Sequence, residues 1–249
     1  MIITKVFAHR GASFFAPENT MYAFKLAYDA GADGIETDVQ LTKDHIPVLI
    51  HDERLNRTTD GKGYVKDYTM QELRKLDAGS WFSDAFTGTS IISLEAFLDW
   101  FYNKPLYLNI ELKNNKIDYK HLEAIVYEML TYYKVLDRTI ISTFSQKSIQ
   151  KLQPYRSNIE IAFLTSTRKK HLPLFAKELG ADAIHIKYHL ITKKLIEQSV
   201  KQDIPVRAYT INRTRKMIKC FQYGCQGIFT DLPYKAVQTR KSFKRRMQT

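Results

Sequence analysis

The stretch Val6-Phe7-Ala8-His9-Arg10-Gly11 is a short apolar run that ends in a histidine and an arginine. A second run, Ile35-Glu36-Thr37-Asp38-Val39, carries carboxylates at alternate positions. Both runs have the length and apolar content of buried strands. Side chains two residues apart on a strand point to the same face, so Glu36 and Asp38 should project together. The two stretches therefore predict strand ends that bring polar groups into one site.

Strand-like and helix-like segments alternate along most of the chain. The first strand precedes a predicted helix over residues 20–30, for which Asn19 is a plausible N-cap. Later predicted strands, each followed by a predicted helix, cover residues 106–112, 139–144, 160–164, 183–186, 206–210 and 227–230. Repeated strand–helix units predict a parallel sheet flanked by helices, and about eight units favour a closed (β/α)8 TIM barrel. The alternative, an open doubly wound sheet that binds a dinucleotide, is weakened because no Gly-x-Gly-x-x-Gly follows the first strand.

The alternation predicts one domain over residues 1–249, with a small inserted segment after the second strand. An extended run over residues 47–51 leads into residues 52–90, which are polar and lack the alternation. Glycines recur in this segment, at Gly61, Gly63, Gly79 and Gly88. We therefore expect residues 52–90 to form the insertion, with one short helix near residues 70–76.

The formal net charge of +12 is concentrated at the carboxyl end of the chain. A basic tail at residues 235–249 contributes +6, without an acidic residue, and a helix is predicted from about Pro233. The favoured interpretation is a solvated, partly frayed tail. A weak contact with an anionic lipid surface or with nucleic acid is the alternative, which charge alone does not decide.

Composition excludes several protein classes. A hydrophobic content of 44% is too high for a disordered chain. The cysteines, Cys220 and Cys225, fit neither a disulfide framework nor a zinc motif, so reduced thiols are expected. The amino terminus lacks the pattern of a signal peptide, and no run approaches the ~18 apolar residues of a membrane span. We expect a cytoplasmic protein without stable membrane insertion.

Three acidic residues at strand ends predict a metal site. Glu111 ends the strand over residues 106–112, and it should converge with Glu36 and Asp38 at the mouth of the barrel. Clustered carboxylates repel one another and are costly to desolvate, whereas a hard divalent cation removes that cost. Oxygen ligands suit Mg²⁺ or Ca²⁺.

Two histidines and two cations complete the predicted site. His9 and His51 lie at strand ends beside the carboxylates and predict an acid/base pair, because histidine titrates near neutral pH. Arg10 and Lys113 supply fixed positive charge, which suggests a bound phosphate. Together with the metal, this set indicates cleavage of a phosphoryl ester.

Eight short motifs give the sequence a family resemblance. In chain order they are His9-Arg10-Gly11, Pro17-Glu18-Asn19-Thr20, Glu36-Thr37-Asp38-Val39, His51-Asp52, Arg57-Thr58-Thr59-x-Gly61-x-Gly63, Leu76-Asp77-Ala78-Gly79, Glu111-Leu112-Lys113 and Thr230-Asp231-x-Pro233. They resemble the glycerophosphodiester phosphodiesterases over residues 6 to 233. The resemblance implies a barrel with a cap-like insertion and a single divalent ion bound by Glu36, Asp38 and Glu111. It also implies His9 and His51 as general base and acid, in an order left open, and Arg10 and Lys113 as phosphate contacts.

The chain departs from the family pattern at the seventh strand and in one turn. Relatives have Trp-Thr-Val-Asn where this chain has Tyr209-Thr210-Ile211-Asn212. We expect Tyr209 and Phe144 to line the substrate pocket, where the tyrosine hydroxyl could shift the preference for the alcohol. His45 replaces the glycine of an Asp-Gly turn and should adopt a positive φ. These departures do not touch the predicted catalytic set.

The expected activity is metal-dependent hydrolysis of a glycerophosphodiester, such as glycerophosphocholine or glycerophosphoethanolamine, to an alcohol and sn-glycerol 3-phosphate. The expected partner is this small-molecule substrate, and no nucleic-acid motif is present. Three alternatives remain open. A phosphodiesterase for lysophospholipids would need an apolar groove for the acyl chain, a non-catalytic barrel would only bind a phosphodiester, and a nucleic-acid binder would rest on the +12 charge.

Overall fold

The computed structural model describes residues 3–247. Its strands are β1 (Lys5–His9), β2 (Gly34–Leu41), β3 (Pro47–Leu49), β4 (Tyr107–Leu112), β5 (Thr139–Thr143), β6 (Glu160–Thr165), β7 (Ala183–Lys187), β8 (Val206–Tyr209) and β9 (Gly227–Thr230). Its α-helices are α1 (Met21–Asp29), α2 (Met70–Leu73), α3 (Leu94–Phe101), α4 (Leu122–Tyr132), α5 (Gln146–Leu152), α6 (Leu172–Leu179), α7 (Lys193–Gln202), α8 (Thr214–Tyr223) and α9 (Pro233–Arg246).

Eight of these strands form a closed parallel ring. The order is β1-β2-β4-β5-β6-β7-β8-β9, and β9 pairs in parallel with β1 to complete it. The short β3 lies outside the ring, antiparallel to β2. Helices follow the strands and cover the outside of the sheet, so the predicted (β/α)8 barrel is confirmed. None of the helices within residues 3–247 has both the length and the apolar composition needed to cross a bilayer.

The register of the first strands decides which side chains meet. His9 at the end of β1 pairs with Glu36 of β2, and Asp38 of β2 pairs with Glu111 of β4. Residues paired in register lie side by side at one level of the barrel. The polar strand ends therefore form a continuous rim at the carboxyl end of the sheet.

Apolar side chains fill the barrel below this rim. Phe7, Ile140, Ala162, Ala183 and Phe229 form a buried cluster inside the ring. The Phe7 and Phe229 rings are 5.3 Å apart between centroids. A larger cluster lies between the sheet and the surrounding helices. The interior cluster thus forms a packed floor beneath the polar mouth.

A buried charged group also lies within the barrel. Arg207 of β8 forms a two-bond ion pair with Glu160 of β6. His185 of β7 is fully buried, and its Nε2 lies 3.2 Å from Arg207 Nη1. Burial and the neighbouring guanidinium hold the pKa of His185 well below its ordinary value. His185 is therefore a neutral interior residue.

The segment between β3 and α3 has little regular structure. It contains 3-10 turns at Leu55–Arg57, Val65–Asp67 and Asp84–Phe86, and the single helical turn α2, which is shorter than the helix predicted there. A second apolar cluster packs beneath it, formed by Val48, Ile50, Leu55, Val65, Met70, Leu73, Ala78 and Ile91. The ring centroids of Phe86 and of Tyr22 in α1 are 5.4 Å apart. The segment thus has its own small core and also contacts the barrel.

Two local predictions are resolved by the backbone. Thr20, not Asn19, is the N-cap of α1, and its hydroxyl accepts a hydrogen bond from the Ala23 amide. Asn19 adopts φ +56°, and its side chain does not cap the helix, so the predicted N-cap was wrong by one residue. His45 has φ +60°, and the expected positive φ is confirmed.

Most of the basic stretch at residues 235–249 belongs to α9. Ala236 and Val237 are buried against the barrel, and Arg240 forms an ion pair with Asp33. Residues 248 and 249 of the predicted tail lie outside the described residues. Up to Arg246, the basic side chains therefore project from an ordered helix.

Candidate active site

Three carboxylates meet at the mouth of the barrel. Glu36 and Asp38 alternate on β2, and Glu111 lies beside Asp38 on β4. One carboxylate oxygen from each residue lies within 4.8 Å of the other two. Glu36 and Asp38 are buried, and Glu111 is partly exposed. The structure thus brings together the three residues that the sequence indicated as a metal site.

The pKa values of Glu36 and Asp38 are shifted in opposite directions. Burial raises the pKa of Glu36 well above its ordinary value, and the Asp38 charge adds to the shift. Burial acts the same way on Asp38, but Arg10 and Lys113 outweigh it and hold the pKa of Asp38 below its ordinary value. Within residues 3–247, Asp38 Oδ1 is buried without a hydrogen-bond partner.

These properties fit a divalent cation. All three potential ligands are carboxylate oxygens, which Mg²⁺ and Ca²⁺ prefer. A cation there would supply the missing partner of Asp38 Oδ1, and it would offset the burial and the repulsion by Asp38 that raise the pKa of Glu36. Glu36, Asp38 and Glu111 could therefore hold one metal ion.

Two cations border the carboxylates. The Arg10 amide donates to Glu36 Oε2 at 2.9 Å, and its guanidinium Nε lies 3.2 Å from Asp38 Oδ2. Lys113 Nζ lies 2.8 Å from Glu111 Oε1 and 3.7 Å from Asp38 Oδ1. Both cations are largely buried at the strand ends. They are the residues that the sequence indicated as phosphate contacts.

His9 is oriented by an aspartate from the last strand of the ring. His9 Nδ1 lies 2.7 Å from Asp231 Oδ1, directly after β9. Burial opposes ionisation of Asp231, but the interactions with His9, Asn212 and Ser13 together outweigh it and lower the pKa of Asp231. An ionised carboxylate only accepts hydrogen bonds, so Nδ1 of His9 carries the proton in this pair. Nε2 of His9 is then the atom that can accept or donate a proton.

His51 is oriented in the same way by its neighbour in sequence. His51 Nδ1 lies 2.5 Å from Asp52 Oδ1. Burial opposes ionisation of Asp52, but hydrogen bonds from Arg57 and His51 lower the pKa of Asp52 to about 2. The same reasoning therefore places the proton on Nδ1 and leaves Nε2 of His51 available. Each histidine thus has a carboxylate at Nδ1, which fixes the tautomer of its imidazole ring.

An ion-pair network joins the two halves of the site. Glu18 accepts from Arg10 at 2.9 Å and from Arg57 at 2.7 and 2.8 Å. Arg57 also donates to Asp52 at 2.7 Å. The loop after β1 is thus connected through Glu18 and Arg57 to the segment that follows His51.

Asn19 supports the carboxylate cluster rather than a helix end. Its side-chain amide donates to Asp38 Oδ2 at 3.0 Å, and its carbonyl oxygen accepts from Thr37 Oγ1 at 2.9 Å. These bonds use both ends of the amide, so the orientation of Asn19 is fixed. Asn19 therefore positions one oxygen of Asp38.

The two residues expected in the substrate pocket lie against each other. The rings of Phe144 and Tyr209 are 6.3 Å apart and meet edge to face at 87°. Tyr209 lines a small cavity together with His9, Glu36 and Glu111, but Phe144 does not. The Tyr209 hydroxyl is buried without a hydrogen-bond partner in the described chain, and burial raises its pKa.

The sequence predicts no role for Asp231, Asp52 or Arg57, although each falls in one of the eight motifs. The adjacency of His51 and Asp52 was a usable signal. No such signal linked Asp231 to His9, because the two residues are 222 positions apart in the sequence. The pairing of Arg57 with Glu18 likewise depends on how the segment after β3 folds back.

Comparison with known proteins extends these observations. A model of the glycerophosphoryl diester phosphodiesterase family matches residues 9–235. A Bacillus altitudinis protein named glycerophosphodiester phosphodiesterase is 38% identical over 245 residues, which cover 97% of this chain and all of the relative. A protein of the same name from Caldanaerobacter subterraneus is 37% identical, over 92% of this chain and 95% of its own length.

Solved structures share the fold. A phosphodiesterase from Oleispira antarctica, in complex with the product sn-glycerol-3-phosphate, superposes with a TM-score of 0.88 at 29% identity, covering 96% of this chain and 97% of its own. A structure from Silicibacter pomeroyi has a TM-score of 0.89 at 24% identity and covers 98% of this chain and 95% of its own. This likeness supports the fold alone. With the family match extending over residues 9–235, the chain belongs to the glycerophosphoryl diester phosphodiesterase family and is an enzyme of that family.

Proposed function

We propose that this enzyme hydrolyses glycerophosphodiesters, such as glycerophosphocholine and glycerophosphoethanolamine, to an alcohol and sn-glycerol 3-phosphate, and that it requires Mg²⁺ or Ca²⁺. The observation that carries the proposal is the pairing of two aspartate-oriented histidines with one cluster of three carboxylates. The name of the Oleispira antarctica complex, which contains sn-glycerol-3-phosphate, supports the choice of product.

The phosphate of the substrate is proposed to lie against the carboxylate cluster and its two cations. Arg10 and Lys113 offer donors to the phosphate oxygens, and guanidinium groups suit paired oxygen acceptors. Glu36, Asp38 and Glu111 would hold the divalent ion, which when bound polarises a phosphate oxygen. Asn19 and Glu18 keep Asp38 and Arg10 in place.

The histidines are proposed to move the protons of the reaction. One Nε2 removes a proton from the attacking oxygen, which is either water or the glycerol 2-hydroxyl of the substrate. The bond from phosphorus to the leaving alcohol oxygen breaks, and the other Nε2 gives that oxygen its proton. With water as the attacking group this step gives glycerol 3-phosphate directly. With the 2-hydroxyl it gives a cyclic phosphate, and water then adds to phosphorus and breaks the bond to the 2-oxygen, which regains a proton, to give glycerol 3-phosphate. In both histidines the aspartate at Nδ1 stabilises the positive charge that the ring acquires.

Hydrolysis of a panel of glycerophosphodiesters, with and without a chelator, tests the proposal. Activity should be lost with chelator and return with added Mg²⁺ or Ca²⁺, and His51→Ala should reduce kcat by at least about 10²-fold. His171→Asn is a suitable control, because His171 is exposed and asparagine tolerates its φ of +51°. Activity that is unchanged by the chelator would contradict the metal requirement. Full activity of His51→Ala would contradict the proposed role of His51 in proton transfer.

The enzyme's location stays a prediction from the sequence. We propose that it is cytoplasmic and that it has no nucleic-acid partner. Fractionation of the native cell would test the first statement, and retention on DNA at physiological salt would contradict the second.

A further inference from the structure

A large apolar groove lies outside the barrel, away from the carboxylate cluster. It has a volume of about 620 Å³ and runs between α8 and α9. Ile218, Tyr234, Phe243 and Met247 are among the residues that line it. Tyr234 and Met247 are 61% and 56% exposed, so apolar surface is open to solvent at both ends of α9.

The two helices beside the groove are strongly basic. α8 contains three lysine or arginine residues and α9 contains six, and neither helix contains an aspartate or glutamate. Arg240 turns inward to Asp33, whereas Arg215, Lys241 and Arg245 are exposed. Lys241 and Arg245 are one helical turn apart and adjoin the groove residues Gln238 and Ser242. The groove therefore has an apolar floor and a basic border.

An exposed aromatic pair continues this surface to the active site. Phe14 and Phe15, in the loop after β1, are 60% and 54% exposed, and their rings meet edge to face at 5.1 Å. The Phe14 amide donates to the carbonyl of Asp231 at 3.2 Å, and Tyr234 follows three residues later. The loop that carries the aromatic pair therefore contacts the segment that links Asp231 to the start of α9.

We propose that this docking face, formed by α8, α9 and Phe14-Phe15, binds the surface of an anionic lipid bilayer. Cations without intervening acids match an anionic surface, and exposed aromatic side chains beside them match the boundary between head groups and acyl chains. A nucleic acid would use the cations but would leave the apolar groove and the phenylalanine pair without a role. In this docking the side of the barrel faces the bilayer: Phe14 and Phe15 are at the mouth end of the face, and Lys241 is at the other end, next to Arg240, which bonds to Thr4 before β1.

Sedimentation with lipid vesicles tests the proposal. The full-length enzyme is mixed with vesicles of phosphatidylcholine alone, or of phosphatidylcholine and phosphatidylglycerol in equal parts. We expect binding to the anionic vesicles to exceed binding to the neutral ones by at least about tenfold at low salt, and to weaken as salt is raised.

Matched variants separate the contributions of charge and apolar surface. Lys241→Glu with Arg245→Glu should weaken binding at least about tenfold, while hydrolysis of a free glycerophosphodiester is unchanged. Phe14→Ser with Phe15→Ser should also weaken binding, at unchanged net charge. Lys120→Glu with Lys170→Glu makes the same charge change elsewhere on the barrel, at exposed positions, and should have little effect. Melting curves of all variants confirm that they are folded.

Several outcomes would overturn the proposal. These are equal binding to neutral and anionic vesicles, no binding to either, or an equal loss in the Lys120/Lys170 variant. Undiminished binding of the Phe14/Phe15 variant, with displacement of the vesicles by DNA, would indicate a nucleic-acid surface instead.

Discussion

The hydrogen bond between His9 and Asp231 leads to a specific prediction for Asp231→Asn. Asp231 Oδ2 accepts from the Asn212 side-chain amide at 2.6 Å, while Oδ1 faces His9 Nδ1. The orientation of Asn212 is fixed, because its carbonyl oxygen accepts from both Thr230 Oγ1 and the Asp231 backbone amide at 3.0 Å. An asparagine at 231 must therefore turn its own oxygen toward Asn212.

That orientation points the new side-chain NH₂ group at His9 Nδ1. Nδ1 must then accept a hydrogen bond, so the ring proton moves to Nε2. Nε2 of His9 can then no longer accept a proton from the attacking oxygen. If His9 is the acid instead, the variant loses the carboxylate that stabilises its imidazolium form. In either role the variant impairs proton transfer without altering the metal-site carboxylates.

The expected loss is the contribution of one general acid or base, about 10²- to 10⁴-fold in kcat. This corresponds to about 3 to 5 kcal/mol in the activation barrier. The assay is release of glycerol 3-phosphate from glycerophosphocholine, measured with a coupled dehydrogenase. KM should change little, because the proposed phosphate contacts are retained.

Exchanging the two side chains provides a strict control. In Asp231→Asn with Asn212→Asp, the new carboxylate at 212 accepts from the asparagine NH₂, and the asparagine oxygen can again face His9 Nδ1. We expect the double variant to be at least about tenfold more active than Asp231→Asn alone, since the productive tautomer is restored. A single variant with kcat within fivefold of the wild type, on the order of 1 kcal/mol, would refute this reasoning.

Three further changes test the surrounding structure. Tyr209→Phe removes a buried hydroxyl that lacks a partner, so the free energy of unfolding in urea should rise by about 1 kcal/mol. Asp52 has its pKa lowered to about 2 in the folded chain, so it stabilises the fold above its unfolded pKa of about 4, and this contribution disappears as pH falls through 2. Asp52→Asn should therefore lower the urea midpoint at pH 6 and differ progressively less from the wild type below pH 4. Gly11→Ala should destabilise by more than about 2 kcal/mol, because φ is +83° and a Cβ would lie 2.6 Å from the Ala23 backbone.

Each of these changes has a clear contrary result. A lower unfolding free energy for Tyr209→Phe would show that the hydroxyl has a partner in solution. A pH-independent difference for Asp52→Asn would contradict the assigned pKa. Gly224→Ala is the control for Gly11, since its φ is +77° but, apart from its chain neighbours, no atom of residues 3–247 lies within 4 Å of the added Cβ. Equal destabilisation of the two glycine variants would contradict the predicted clash.

The barrel was predictable because its signal is local. Each strand is a short apolar run, each helix follows it, and polar residues mark the strand ends, as in the stretch that ends at His9. The alternation of Glu36 and Asp38 correctly indicated that they share a face, since this depends only on strand geometry. Their proximity to Glu111 followed from fold class, because parallel strand ends meet at one rim.

The partners of these residues were not predictable in the same way. The pairing of His9 with Asp231 depends on ring closure, and that of Glu18 with Arg57 depends on the irregular segment after β3. Asn19 was assigned as a helix cap because asparagine is favoured there, but Thr20 has the same preference and lies one residue closer. The groove beside α9 depends on the spacing between α8 and α9. The pattern of residues along a helix does not predict that spacing.

The closing of the ring by β9 has a consequence for the newly made chain. His9, Arg10 and the metal-site carboxylates all precede residue 112, so they leave the ribosome early. The aspartate that orients His9 is made 222 residues after it, on the strand that pairs with β1. Until that last strand is in place, His9 has no fixed tautomer. With His9 in its proposed role, catalytic activity requires the completed barrel, and we expect the onset of turnover during refolding to report when the ring closes.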